Sequence, residues 1–246
     1  MTSIALQFLG SGDALGSGGR FQTCLHLSGL PAGGVLIDCG ASSLIAMKRA
    51  GVDPSQVEWV VLSHLHGDHF GGLPFMILDG QFRRRTRPLR VAGPPGVSAR
   101  VTAAMEVLFP GSSTAARGFS LEFLELPPRT ATVVGPATVT AFAVAHLSGA
   151  PSYALRLEYG GKTIAYSGDT EWTEALVEAA TGVDLFVCEA YFFAKKVKYH
   201  LDYQTLMTHR GRLGCRRLIL THANQDLLDR GPLGEELADD LKVVTL

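Results

Sequence analysis

No stretch of this chain approaches the roughly 18 consecutive apolar residues of a membrane-spanning helix. Yet 46% of its 246 residues are hydrophobic. That is ample for a buried core, and the expectation is one folding unit over residues 1–246. Cysteine is scarce. Cys24, Cys39, Cys188 and Cys215 are too far apart to form a zinc-ribbon pair or a small disulfide framework, so a reducing compartment is the simpler reading. The first residues lack the basic and long apolar regions of a secretory leader. A cytoplasmic location without membrane contact is therefore expected. Excess charge is missing too. With 22 Lys+Arg against 23 Asp+Glu, the net charge of −1 gives no general attraction to nucleic acid or anionic lipid. Local basic clusters do occur: Arg83, Arg84, Arg85, Arg87 and Arg90, and then Lys195, Lys196 and Lys198.

Short apolar runs alternate with helical patterns. Strands are expected over residues 4–9, 23–27, 35–37, 59–62, 138–145, 153–158, 162–166, 185–188 and 217–220, and helices over 42–50, 172–180 and 203–212. Gly160-Gly161 is a hairpin turn, while Gly93-Pro94-Pro95-Gly96 reads as loop punctuation. Five of the strands run into polar residues: Asp38, His64, His146, Asp169 and His222. Two packed sheets can gather such strand ends along one edge, which makes a rigid polyvalent site.

The densest chemistry is His64-Leu65-His66-Gly67-Asp68-His69, four imidazole and carboxylate groups in six residues. These donors suit zinc and similar first-row metals. Their spacing does not fit one helix face, so a loop folded over a centre is expected, with Gly67 supplying its conformational freedom. The bland alternative is a histidine-rich solvated turn. His146 alone would read as a core or turn histidine, and Asp169 as a helix cap. His26 and His209 have no motif support and are assigned structural roles. Asp38 has two readings, orienting a ligand histidine or capping the helix near Ser42.

His64-Leu65-His66-Gly67-Asp68-His69 resembles the HxHxDH signature of the metallo-β-lactamase superfamily. The order His146, then Ser167-Gly168-Asp169-Thr170, then Leu220-Thr221-His222 resembles the rest of its ligand set, over nearly the whole chain. The resemblance implies an α/β four-layer αβ/βα sandwich. It implies one metal on His64, His66 and His146 and a second on Asp68, His69 and His222, with Asp169 bridging. Two divalent ions are then the cofactors, zinc expected first, with manganese or iron as alternatives. Such a pair lowers the pKa of bound water and clamps negative oxygens, which implies hydrolysis. Asp68 would be essential to the centre that makes the nucleophile.

Further segments resemble the tRNase Z and phosphodiesterase branch: Phe8-Leu9-Gly10-Ser11-Gly12, Asp38-Cys39-Gly40, Gly93-Pro94-Pro95-Gly96, Ser152-Tyr153 and Cys188-Glu189-Ala190-Tyr191-Phe192. His200 falls where that branch carries a catalytic histidine. Carried over, His200 would protonate the leaving oxygen with Glu189 as its partner. The branch usually has small residues after this histidine, and here Leu201 and Asp202 follow. A second departure concerns the tRNA-gripping arm, which that branch inserts between the positions of His146 and Asp169. Only 22 residues lie there, and the two expected strands use them. A small phosphodiester is thus the expected substrate, and tRNA is not expected. Lactone, thioester or sulfate ester hydrolysis, tRNA 3′-end cleavage and non-catalytic metal binding are the alternatives; a homodimer stays open. The cluster at residues 83–90 reads as a solvated loop or a phosphate contact. The start Gly10-Ser11-Gly12-Asp13-Ala14-Leu15-Gly16 is a poor dinucleotide fingerprint, because its third glycine comes one position late and a strand follows.

Overall fold

The computed structural model describes residues 3–31 and 33–246. Its strands, in chain order, are β1 (Ala5–Gly10), β2 (Cys24–Ser28), β3 (Val35–Ile37), β4 (Trp59–Val61), β5 (Leu89–Gly93), β6 (Leu121–Glu125) and β7 (Thr132–Val134). They continue with β8 (Ala137–Val144), β9 (Ser152–Tyr159), β10 (Lys162–Tyr166), β11 (Leu185–Glu189), β12 (Arg217–Thr221), β13 (Glu236–Leu237) and β14 (Val243–Thr245). The helices are α1 (Ser43–Arg49), α2 (Gly67–Phe70), α3 (Leu73–Phe82), α4 (Val97–Leu108), α5 (Glu174–Ala180), α6 (Tyr203–His209) and α7 (Gln225–Leu228). One sheet has the order β14-β1-β2-β3-β4-β5-β6, the other β13-β12-β11-β10-β9-β8-β7.

Successive side chains of a strand point to opposite faces, and this sets the layers. Val35, Ile37 and Val61 face the second sheet, where Leu155, Val187 and Ile219 meet them. Leu36, Val60 and Leu62 point outward onto Met47 of α1, Ile77 of α3 and Val101 of α4. In the second sheet Phe186 and Leu220 point outward onto Leu176 of α5 and Leu206 of α6. The result is helix, sheet, sheet, helix, as the resemblance implied. No helix among the described residues is long and apolar enough to cross a membrane.

The expected strands lie within a residue or two of those observed. The segment between the metal motif and residue 137 was not legible as structure, yet it holds α3, β5, α4, β6 and β7. Gly93-Pro94-Pro95-Gly96 is the turn from β5 into α4, and helix α6 ends at His209 in a 3-10 turn over Arg210–Arg212.

The parallel register of β3 with β4 and of β10, β11 and β12 puts the carboxyl ends of these strands along one edge of the sandwich. There Asp38 follows β3, His64 follows β4, Asp169 follows β10, and His222 follows β12. Strand β8 pairs antiparallel with β9 and delivers His146 to the same edge.

Candidate metal centre

The loop after β4 is partly helical. His64 and His66 lie in irregular chain, but Gly67–Phe70 forms one helical turn capped by His66, so Asp68 and His69 project from helix α2. Gly67 has no positive φ, and a Cβ there would meet nothing within 4 Å; the loop does not depend on its freedom. The close approach falls on Gly40, where a Cβ would stand 2.2 Å from the Asp68 carbonyl oxygen. Backbone hydrogen bonds fix the stack: Cys39 N–H donates to His69 O at 2.6 Å, and Gly72 N–H to Cys39 O at 2.8 Å. The turn before Asp169 needs Gly168, which has φ +58 and leaves a would-be Cβ 2.6 Å from the Tyr153 carbonyl.

The histidines and carboxylates converge in two sets able to hold an ion. His64, His66 and His146 form the first, and Asp68, His69, Asp169 and His222 the second. Within each set the donor atoms lie within 4.8 Å of one another. His146 Nε2 is 3.0 Å from His66 Nδ1. His69 Nε2 is 3.2 Å from Asp68 Oδ2 and 3.3 Å from Asp169 Oδ1. His222 Nε2 is 3.3 Å from Asp68 Oδ2 and 3.5 Å from Asp169 Oδ2. Asp169 stands between the sets, its Oδ2 3.8 Å from His64 Nε2 and 4.0 Å from His146 Nε2. Donors around a tetrahedral zinc are separated by about 3.4 Å, given bonds of about 2.1 Å.

The chemistry of the donors fits bound cations. His64 Nε2, His69 Nε2 and Asp169 Oδ1 are buried without a hydrogen-bond partner, which is costly unless something else satisfies them. Burial, reinforced by the neighbouring imidazole of His69, pushes His64 well below its usual range and keeps it neutral, as a ligand must be. Burial would also lower His69 and His222, but Asp169 and Asp68 outweigh it, raising His69 well above normal and His222 to about 9. Burial pushes the Asp169 carboxyl upward, and His222 and His69 overcome this to hold it well below the usual carboxylate range. The carboxylates thus draw positive charge onto their neighbours, a role a divalent cation can take instead.

Outer partners hold the rings. Asp38 Oδ2 meets His69 Nδ1 at 2.7 Å and accepts from Ser63 Oγ at 2.7 Å, while Ser63 Oγ also meets His64 Nδ1 at 3.0 Å. Of the two readings of Asp38, the structure supports orientation of a histidine; its side chain does not cap α1. His146 Nδ1 donates to Tyr199 O at 2.8 Å, and Tyr199 N–H donates to Glu171 Oε1 at 2.8 Å. Tyr199 has φ +73, a strained conformation for a bulky residue. Tyr199 carries no sequence signal for this role, because any residue offers a backbone carbonyl.

His200 and Glu189 lie together. His200 Nδ1 is 2.9 Å from Glu189 Oε2 and 3.9 Å from Asp169 Oδ2. Glu189 is fully buried, and its Oε1 accepts from Thr170 N–H at 2.5 Å and Leu201 N–H at 3.3 Å. Burial works against a charged His200, but the Glu189 hydrogen bond prevails and raises its pKa. Asp169, Glu189, His200 and His222 also form a third, overlapping set of donors.

The arginine cluster stands elsewhere. Arg90 pairs in register with Trp59 at the start of β4, whereas the metal loop follows its end. Arg83 bonds Asp53 at 2.9 Å, Arg87 bonds Glu58 at 2.8 Å, and Arg90 bonds Glu122 at 2.8 Å. Arg85 is buried, with its guanidinium donating to the carbonyls of Pro54, Val57, Arg87 and Pro88. Arg83, Arg87 and Arg90 thus sit in partly exposed ion pairs, close to the solvated-loop reading, while Arg85 is buried against backbone.

Two sheets with helices outside, and a histidine–aspartate centre on the shared edge, define a metal-dependent hydrolase. The chain belongs to the beta-lactamase superfamily: the model described as the beta-lactamase superfamily domain matches residues 34–223. It is 28% identical to "Ribonuclease Z" of Anoxybacillus flavithermus, over 98% of this chain and 93% of that one. Their alignment has 298 positions, more than the 246 residues of this chain, so the relative carries segments this chain lacks. Similar solved structures include human tRNase Z, short form, with TM-score 0.78 and 22% identity over 98% of each chain. A diphosphatase from the PhnP family also has TM-score 0.78, with 20% identity over 99% of this chain and 98% of that one.

Proposed function

We propose that residues 1–246 form one hydrolase domain that cleaves small phosphodiesters in the cytoplasm, with two divalent metal ions, zinc first among them. His64, His66 and His146 would hold one ion, and Asp68, His69 and His222 the other, with Asp169 between them. When bound, a cation pair supplies the water activation and charge neutralisation that diester hydrolysis requires. The chain supplies the rest. Asp38, Ser63 and the Tyr199 carbonyl fix the imidazoles in one orientation, so little reorganisation is needed on reaction. The observation carrying the reading is the His200–Glu189 pair beside both sets. With Nδ1 turned to the buried carboxylate at 2.9 Å, His200 has Nε2 left to protonate a departing oxygen. A leaving alkoxide needs that proton, and a merely metal-binding module would have no use for such a pair.

Cleavage at a tRNA 3′ end is the second reading, favoured by the ribonuclease Z relatives. Against it stand the 22 residues between His146 and Asp169, occupied by β9, β10 and their turns, and the place of the arginine cluster at the far end of β4, with Arg83, Arg87 and Arg90 ion-paired. tRNA gripping relies on many phosphate contacts and is salt-sensitive. Turnover of a precursor tRNA and of a small diester by the zinc-loaded protein at physiological salt separates the readings. The small diester should be preferred; efficient site-specific trimming of the tRNA would replace the proposal. Hydrolysis of lactones, thioesters or sulfate esters with no diester turnover would move it to another ester class.

A further inference from the structure

We propose that the cavity beside His200 is a subsite for a second anionic group, a phosphate or diphosphate on the leaving side of the substrate, held by Lys196 and Lys198. The inference rests on the hydrolase reading above and names its substrate class more closely.

The cavity has a volume of about 340 Å³, and Lys196, Lys198, His200, Trp172, Glu171 and Asp202 line it. His200 therefore joins it to the metal centre. A group on the oxygen that His200 protonates would extend into this space. Among the described residues, several arginines are ion-paired, while these lysines, like Arg49, Arg84, Arg100 and Lys162, are not. The partners seen for the lysine run are neutral instead. Lys196 Nζ donates to Thr205 Oγ1 at 3.2 Å, Lys195 Nζ lies 4.8 Å from the Phe192 ring centre, and Lys198 Nζ lies 4.7 Å from that of Tyr199.

The cavity's carboxylates keep their charge, but each is turned toward donors of the chain. Glu171 accepts from Tyr199 N–H at 2.8 Å, and Asp202 caps α6, accepting from Thr205 N–H at 2.9 Å and Thr205 Oγ1 at 2.6 Å. Both lysines are exposed. Their loop is held at several points: by Glu171, by His146 on the Tyr199 carbonyl, and by Phe193 N–H donating to Asp226 at 3.0 Å. Charges on a fixed loop bind an anion with less ordering cost than charges on a loose one. A diester with one charge needs only the metal centre; cations placed further out favour a substrate with more charge.

The test compares adenylyl-adenosine, with one internal diester, with the same dinucleotide bearing a terminal phosphate at either end. In the zinc-loaded protein a phosphate at one end should raise kcat/KM by about tenfold. The doubly substituted Lys196→Gln/Lys198→Gln protein should lose that advantage, and Lys196→Arg/Lys198→Arg should restore it. No preference at either end in the wild type, or a preference that survives the glutamine substitutions, would overturn the subsite. Failure of the hydrolase reading would look different: no dinucleotide would turn over. Calorimetric titration of the zinc-loaded protein with inorganic pyrophosphate then decides. The subsite requires at least about tenfold weaker binding in the glutamine variant, with an unchanged melting temperature. Equal affinities would overturn it.

Discussion

The two sheets furnish the site in opposite ways. The amino-terminal sheet contributes His64, His66, Asp68 and His69 from one loop, stacked backbone to backbone on Gly40. The carboxy-terminal sheet contributes His146, Asp169, Glu189 and His222 singly, from four different strands. A site so divided needs both sheets in register before it exists, and Asp169 from the second sheet links donors of the first. The loop side should therefore fail through its packing as well as through its donors, the strand side through loss of single groups.

The largest effect expected is that of Asp68→Ala. It removes a carboxylate that meets both His69 and His222. One of two metal ions should be lost, and diester turnover should fall by roughly a thousandfold or more. Metal quantification and hydrolysis of bis(p-nitrophenyl) phosphate measure the two. Full occupancy with turnover within tenfold of wild type would break the assignment of Asp68 to a metal set.

Next comes a contrast of two glycines in the loop region. Gly40→Ala forces a methyl group to within 2.2 Å of the Asp68 carbonyl oxygen and should cost about 1–3 kcal/mol through overpacking. It should also weaken zinc binding, because the displaced backbone carries Asp68. Gly67→Ala, inside the motif, meets nothing within 4 Å and should be neutral or slightly stabilising in helix α2. Thermal melts with and without zinc separate the two. Equal destabilisation would mean that the motif glycine, not the stacked one, shapes the loop.

These glycines also mark the limit of what the sequence displayed. Four ligand-type residues in six positions are legible because their chemistry is local. Asp169 and His222 became legible through strand ends and order along the chain. Gly40 was readable as a motif residue, but not as the floor under Asp68, since that depends on how two loops meet. The Tyr199 carbonyl was invisible for the same reason. Helix α3 is not legible in the sequence because it is apolar on most sides, with Leu73, Pro74, Met76 and Ile77 all buried, and so lacks a clear amphipathic period.

On the strand side, His200→Ala should leave the metal content intact, since His200 belongs to neither main donor set. For a diester with an alkoxide leaving group, kcat should fall by about 10²–10⁴-fold. For a nitrophenyl diester it should change far less, because that leaving group departs without a proton. Equal losses on both substrates would show His200 to be a positioning group, and Glu189 its anchor.

The smallest effect should come from the arginine cluster. Arg87 and Glu58 form an ion pair with both side chains partly exposed, at 50% and 25%, and pairs of this kind contribute about 0–1 kcal/mol. Arg87→Gln should shift stability by less than about 1 kcal/mol and leave diester turnover unchanged, because the cluster stands at the opposite end of β4 from His64. The same substitution probes the tRNA reading. An arginine gripping a phosphate in the complex would make binding less steeply salt-dependent when removed, by about one unit in the slope of log affinity against log salt. An unchanged slope for a precursor tRNA would show that Arg87 contacts no phosphate in any binding it shows. A reduced slope would mean that tRNA reaches around the first sheet to the start of β4, and the small-diester reading would yield to a ribonuclease that grips its substrate without the inserted arm.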